Sequence, residues 1–155
     1  MHLDELRSRP LFDLVMTLDP PQQIGATPLG KRRIFTVTSG TFQGDRLRGV
    51  VLPQGGSDWL LERADGSARQ DVRLVLETDD GAAVLMTYNG VRHASPEVAE
   101  RLARGEPVDA SEYYLRTAPF FETASEKYAW LNHLVSIAVG ERTPSGVAYR
   151  VFEIL

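Results

Sequence analysis

A chain of 155 residues is long enough to bury a substantial core as one domain, and 43% hydrophobic with 25% charged residues is a globular balance that argues against disorder. The absence of cysteine excludes disulfides, thiolate catalysis and cysteine-ligated metal, and a net charge of −4 is the wrong sign for a nucleic-acid partner. No apolar run approaches the ~20 residues of a membrane helix, and the mixed-charge start Met1 to Arg7 lacks a secretory apolar stretch, so no membrane association and a cytoplasmic location are expected.

After a lead-in over residues 1–10, short β-like runs alternate with turn residues across a single domain, 1–155. The first expected strand runs from Leu11 to Leu18 and stops at Asp19-Pro20-Pro21. A loop with Gly25, Pro28 and Gly30 leads to Arg33–Phe42, rich in Thr, Val, Ile and Phe; the Lys31-Arg32-Arg33 run at its start reads as a solvated edge. Gly44-Asp45 turns the chain into Arg46–Leu52, and Trp59–Arg63 and Ala68–Thr78 follow, separated by Ala64-Asp65-Gly66. Asp79-Asp80-Gly81 is a hairpin signal into Ala82–Val91. Ser95 then caps a short helix with Pro96 in its first turn, ending near Gly105. Glu112–Ala118, Leu131–Val139 and Val147–Leu155 complete roughly nine strands, with Tyr128-Ala129-Trp130 as one helical turn before its strand.

Alternation decides the class. Val72, Leu74 and Leu76 share one face of their strand while Asp71, Arg73 and Glu77 share the other, as in antiparallel sheets with one buried side. Repeated hairpins with one helix predict an all-β, antiparallel up-and-down β-barrel, since closure removes exposed edges; a two-sheet sandwich is the alternative.

Several clusters carry a family likeness. They are Leu52-Pro53-Gln54-Gly55-Gly56-Ser57-Asp58-Trp59, Arg63-Ala64-Asp65-Gly66, Asp71-Val72-Arg73, Thr78-Asp79-Asp80-Gly81, and Tyr114-Leu115-Arg116-Thr117-Ala118-Pro119 with Phe121-Glu122. Tyr128-Ala129-Trp130-Leu131-Asn132, Gly140-Glu141-Arg142 and Val151-Phe152-Glu153-Ile154 continue the series. In this order, from Leu11 onward, the chain resembles the bacterial family known as domain of unknown function 3237. The resemblance implies a calycin-like (lipocalin-type) barrel, often oligomeric, and no settled activity. The Ser95–Ala110 insert would reshape the barrel mouth.

Candidate site residues follow, each with a bland alternative. In Gly55-Gly56-Ser57-Asp58-Trp59, Asp58 is a candidate acid or base and Trp59 a stacking wall; alternatively the segment is a turn with Asp58 as a cap. Asp71, a candidate catalytic carboxylate, and Arg73 point the same way and are either a lumenal ligand-orienting pair or a surface pair. Tyr114 and Arg116 also share a face, offering a phenol and an anion or carbonyl clamp, or a structural pair with Glu122, itself a candidate base at the rim. Tyr128, Trp130 and Asn132 alternate and form either an aromatic wall with an amide handle or core packing. Tyr88 and Arg92 are lesser candidates of the same kind. His2, His93 and His133 are too scattered for a metal motif, so neither metal nor cofactor is expected.

Three functions suit this inventory. The first is a barrel that binds a small carbonyl-bearing or aromatic molecule. The second is an acid–base enzyme of isomerase, cyclase or lyase type in the same pocket, needing no metal. The third is an oligomerising scaffold. A homo-oligomer, most simply a dimer, is expected in each case.

Overall fold

Nine antiparallel strands build the fold in the computed structural model, which describes residues 4–155; His2 and the start of the expected lead-in lie outside the described residues. They are β1 (Ser8–Leu18), β2 (Gln22–Thr27), β3 (Gly30–Gln43), β4 (Arg48–Glu62), β5 (Ala68–Thr78), β6 (Ala83–Ala94), β7 (Tyr113–Glu122), β8 (Ser136–Thr143) and β9 (Gly146–Ile154). From β2 to β9 each strand pairs with its sequence neighbour, and β9 pairs with β1. A further ladder from Asp13↔Gln43 to Leu18↔Val37 joins β1 to β3 and closes eight strands into an up-and-down barrel. The remaining strand, β2, folds back on β3 outside that ring.

The turn chemistry acts as its residues dictate. Gly81 takes φ +87 in the β5–β6 hairpin, a conformation that side-chain-bearing residues rarely adopt. Ser95 accepts a hydrogen bond from the Val98 N–H and caps α1 (Pro96–Ala103), with Pro96 in the first turn.

Three expectations about elements are corrected. The two runs Arg46–Leu52 and Trp59–Arg63 are one strand, β4, because the Pro53–Gly56 segment continues the strand through an irregular register instead of turning. The segment assigned to a loop with Gly25 contains β2, whose polar sequence gives no alternation signal. Ala129–His133 forms a 3₁₀ turn and β8 begins only at Ser136, so Tyr128, Trp130 and Asn132 do not share a strand face.

The barrel has a packed end and an open end. At the packed end, Phe12 meets Phe42 and Phe121 with ring centroids 5.4 and 5.9 Å apart, over fully buried Leu76, Val84 and Leu131. The 3₁₀ turn plugs this end, with Tyr128 donating to Asp80 Oδ1 at 2.9 Å. The β8–β9 hairpin, the segment Asp19–Pro21 and α1 surround the other end, where the interior opens.

Candidate functional site

A cavity of about 640 Å³ enters the barrel at the open end, a size suited to a small organic molecule. Met16, Phe35, Val37, Leu60, Val72 and Leu115 give it apolar walls. Into these walls project Asp58, Gln70, Tyr88 and Tyr149, with Arg33, Glu62, Arg92 and Arg142 nearer the mouth.

Bulges aim Asp58 inward. Val51 is buried on the lumenal face of β4, yet further along the same strand Asp58 and Leu60 face the cavity. Side chains alternate along a strand, so this odd-to-even change requires a break in pairing. It occurs between Leu52 and Ser57 against β5, matched by a break between Thr36 and Gly40 on β3. With regular pairing Trp59 would enter the lumen; instead it is half-exposed outside and donates its indole N–H to Ser57 Oγ at 3.0 Å.

Burial pushes the Asp58 carboxyl up to about 7, because the apolar surroundings penalise its charge more than its neighbours reward it. The opposing influences are the Asp71 backbone N–H, which donates to Asp58 Oδ1 at 3.1 Å, and the positive charges of Arg92 and Arg33. Tyr88 and Tyr149 stand edge to face, centroids 5.5 Å apart, and burial raises both phenols, so they remain neutral donors at physiological pH. Glycine at position 140 makes room for this pair: a Cβ there would lie 2.4 Å from Tyr149 Cε1. Arg92 is largely buried, and burial together with Arg142 and Arg33 lowers its pKa. Arg33 sits 3.9 Å from Glu62, and Arg142 donates to the Leu102 carbonyl at the end of α1. The arrangement supplies an acid–base group near neutrality, two phenol donors and a cationic rim above an apolar chamber. Among the described residues, no three His, Asp or Glu gather where they could hold a metal.

Of the side chains singled out from the sequence, Asp58, Tyr88 and Arg92 line this cavity. Asp71 and Arg73 face outward, since β5 turns Val72 and Leu74 inward; Asp71 reaches the site through its backbone N–H, and its charge adds to the upward push on Asp58. Tyr114 and Arg116 are likewise outside, because β7 buries Leu115 and Thr117; the Arg116 guanidinium stacks 4.9 Å over the Tyr114 ring. Glu122 is exposed at the far end of β7, paired across to Leu85. Tyr128 belongs to the plug, and Trp130 stacks there under Arg46 at 4.1 Å. Asn132 closes a loop by bonding the Thr123 backbone, accepting at 2.8 Å and donating at 3.0 Å.

Sequence reasoning missed Arg33, Gln70, Arg142 and Tyr149 and passed lightly over Arg92. Arg33 lines the mouth instead of forming a solvated edge. The signal for Gln70 was available, since it shares the face of Val72, Leu74 and Leu76 and is a buried polar residue in an apolar row. Tyr149 similarly shares a face with Val147 and Val151.

Residues 6–154 match a family described as proteins of unknown function (DUF3237). A UPF0311 protein of Clostridium acetobutylicum is 34% identical over 154 residues, covering 99% of this chain and 97% of that protein. The crystal structure of a conserved protein of unknown function from Rhodopseudomonas palustris superposes with a TM-score of 0.94 at 31% identity, covering 97% of this chain and 99% of that one. The hydroalkoxylation enzyme phnH of Penicillium herquei is 29% identical over 126 residues, covering 81% of this chain and 68% of that enzyme.

Proposed function

The chain belongs to that family of proteins of unknown function, and from this premise we propose that its barrel binds a small, largely apolar, oxygen-bearing molecule and moves a proton on it through Asp58. The observation that carries this reading is a carboxyl group aimed into an apolar chamber, where burial pushes it up to about 7. A group with that pKa exists in both protonation states near neutral pH, the condition under which proton transfer in either direction is most efficient. Tyr88 and Tyr149 would polarise a carbonyl or phenolic oxygen of the ligand.

The relative from Penicillium herquei gives this a chemical form, since hydroalkoxylation adds an O–H group across a carbon–carbon double bond. The oxygen–carbon bond forms, the double bond becomes single, and the hydroxyl proton ends on the other alkene carbon. Asp58 would take that proton in its ionised form and return it in its protonated form, with no co-reactant consumed. Incubation with 2-allylphenol in D₂O tests the reading. Ring closure with one deuterium on carbon, abolished by Asp58→Asn, is expected. Binding without ring closure or exchange would leave the non-catalytic carrier. A scaffold alone would fill its interior, which a cavity of about 640 Å³ argues against.

The expected homo-oligomer has a suitable outer face in β7 and β8, where Tyr114, Phe120, Ile137 and Val139 are exposed. Sedimentation of the wild type as a dimer, and of Ile137→Lys as a monomer, supports this contact; a monomeric wild type overturns it. A cytoplasmic place remains part of the proposal, and among the described residues no helix is long and apolar enough to cross a membrane.

A further inference from the structure

Resting on the reading of the lumen as a ligand site, we propose that the molecule held there is a hydroxylated organic carboxylate, its carboxylate bound by Arg92 near the mouth and its hydroxyl by the Gln70 amide.

The rim carries more positive charge than it neutralises. The Arg92 guanidinium makes no hydrogen bond and no ion pair among the described residues, although it is largely buried. The charges acting on it most strongly are Arg142 and Arg33, which repel it. The nearby anion, Glu62, is already 3.9 Å from Arg33, and Arg142 is committed to the Leu102 carbonyl. A largely buried guanidinium whose attracting anion, Glu62, is shared with Arg33 is incompletely neutralised, so its place here makes physical sense when a further anion completes it. The planar fork of arginine matches the two oxygens of a carboxylate.

The second observation is Gln70. The residue is only 5% exposed, and Oε1 has no hydrogen-bond partner. Polar atoms so placed are normally satisfied; Oε1 is tucked beside Gly90, and turning the amide about brings it to the chamber, where a ligand hydroxyl satisfies it. The register orders these groups along the wall. Asp58 pairs with Val72 and Val72 with Tyr88, setting the acid–base level; Gln70 pairs with Gly90 one step toward the mouth, and Ala68 with Arg92 one step further. Two residues of strand advance roughly 7 Å, so a ligand anchored at Arg92 passes Gln70 and presents its far end to Asp58.

Fluorescence titration of the intact protein with 6-hydroxy-2-naphthoate, 2-naphthoate and 2-naphthol tests this. Both carboxylates should bind at least tenfold tighter than 2-naphthol, about 1.4 kcal/mol, and the hydroxylated acid tighter than the plain one. Arg92→Gln should erase the carboxylate preference and leave 2-naphthol unchanged; Gln70→Leu should erase only the gain from the hydroxyl. Arg92→Lys, which keeps the charge and loses the fork, should retain part of the preference and provides a second variant if Arg92→Gln does not fold. Equal affinity for acid and alcohol, or an equal loss of both in Arg92→Gln, overturns the proposal. In that case 2-naphthol shifting the Tyr88 and Tyr149 ring resonances would leave the lumenal reading standing. No shift at those rings with any probe would overturn both.

Discussion

Replacing Asp58 with Asn should stabilise the protein at alkaline pH and leave it nearly unchanged at acid pH. The carboxyl has its ordinary value of 3.8 in the unfolded chain and about 7 in the barrel. Between those values the folded state binds a proton that the unfolded state has released, so folding stability falls as pH rises through the window and stays low above it. At 1.36 kcal/mol per pH unit, the whole loss is about 4 kcal/mol at most. Asparagine is nearly isosteric with the protonated acid and still accepts the Asp71 N–H, so the variant escapes the loss. Urea unfolding of both proteins should therefore coincide near pH 4 and diverge by pH 8, with a melting-temperature gain on the order of 10 °C for Asp58→Asn. Carboxylates elsewhere contribute equally to both and cancel in the difference. Parallel stability curves from pH 4 to 8 would refute the reasoning, because they would mean that Asp58 ionises without penalty.

Other outcomes follow from the same geometry. Gly140→Ala should force Tyr149 out of position and cost about 1–3 kcal/mol, with weaker naphthol binding; unchanged Tyr149 resonances would count against the close approach. Arg116→Ala should change stability by no more than about 0.5 kcal/mol and leave lumenal binding untouched, since Arg116 stands outside over Tyr114; a binding loss would contradict that placement. Asp80 is held well below its ordinary 3.8 by Lys127, Thr78 and Tyr128, so its contribution is present above that value and fades as pH falls below it. Asp80→Asn should accordingly lower the melting temperature at pH 7 and converge with the wild type in acid.

The barrel was legible because hairpin glycines and strict alternation act locally. Val72, Leu74 and Leu76 announce a buried face whatever the rest of the chain does, and Ser95-Pro96 starts a helix from its own backbone chemistry. The site was less legible because membership of the lumen depends on register. Trp59 and Asp58 exchange faces through a bulge whose sequence, Pro53 to Gly56, reads equally well as a turn. Tyr114 and Arg116 have the right chemistry and the wrong parity, decided by Leu115 and Thr117 taking the inside. The helical turn expected at Tyr128–Trp130 extends to His133 and the strand starts at Ser136 instead of Leu131, so Trp130 and Asn132 belong to a turn that plugs the end opposite the cavity. The arginine rim gathers residues from β3, β6 and β8, which only closure of the barrel brings together.

Carbon-13 NMR titration of the Asp58 carboxyl, assigned by its loss in Asp58→Asn, addresses the acid–base claim without requiring the natural ligand. A midpoint at about 7 is predicted. A midpoint near the ordinary 3.8 would contradict it, leaving the chamber without an acid–base group poised at neutral pH.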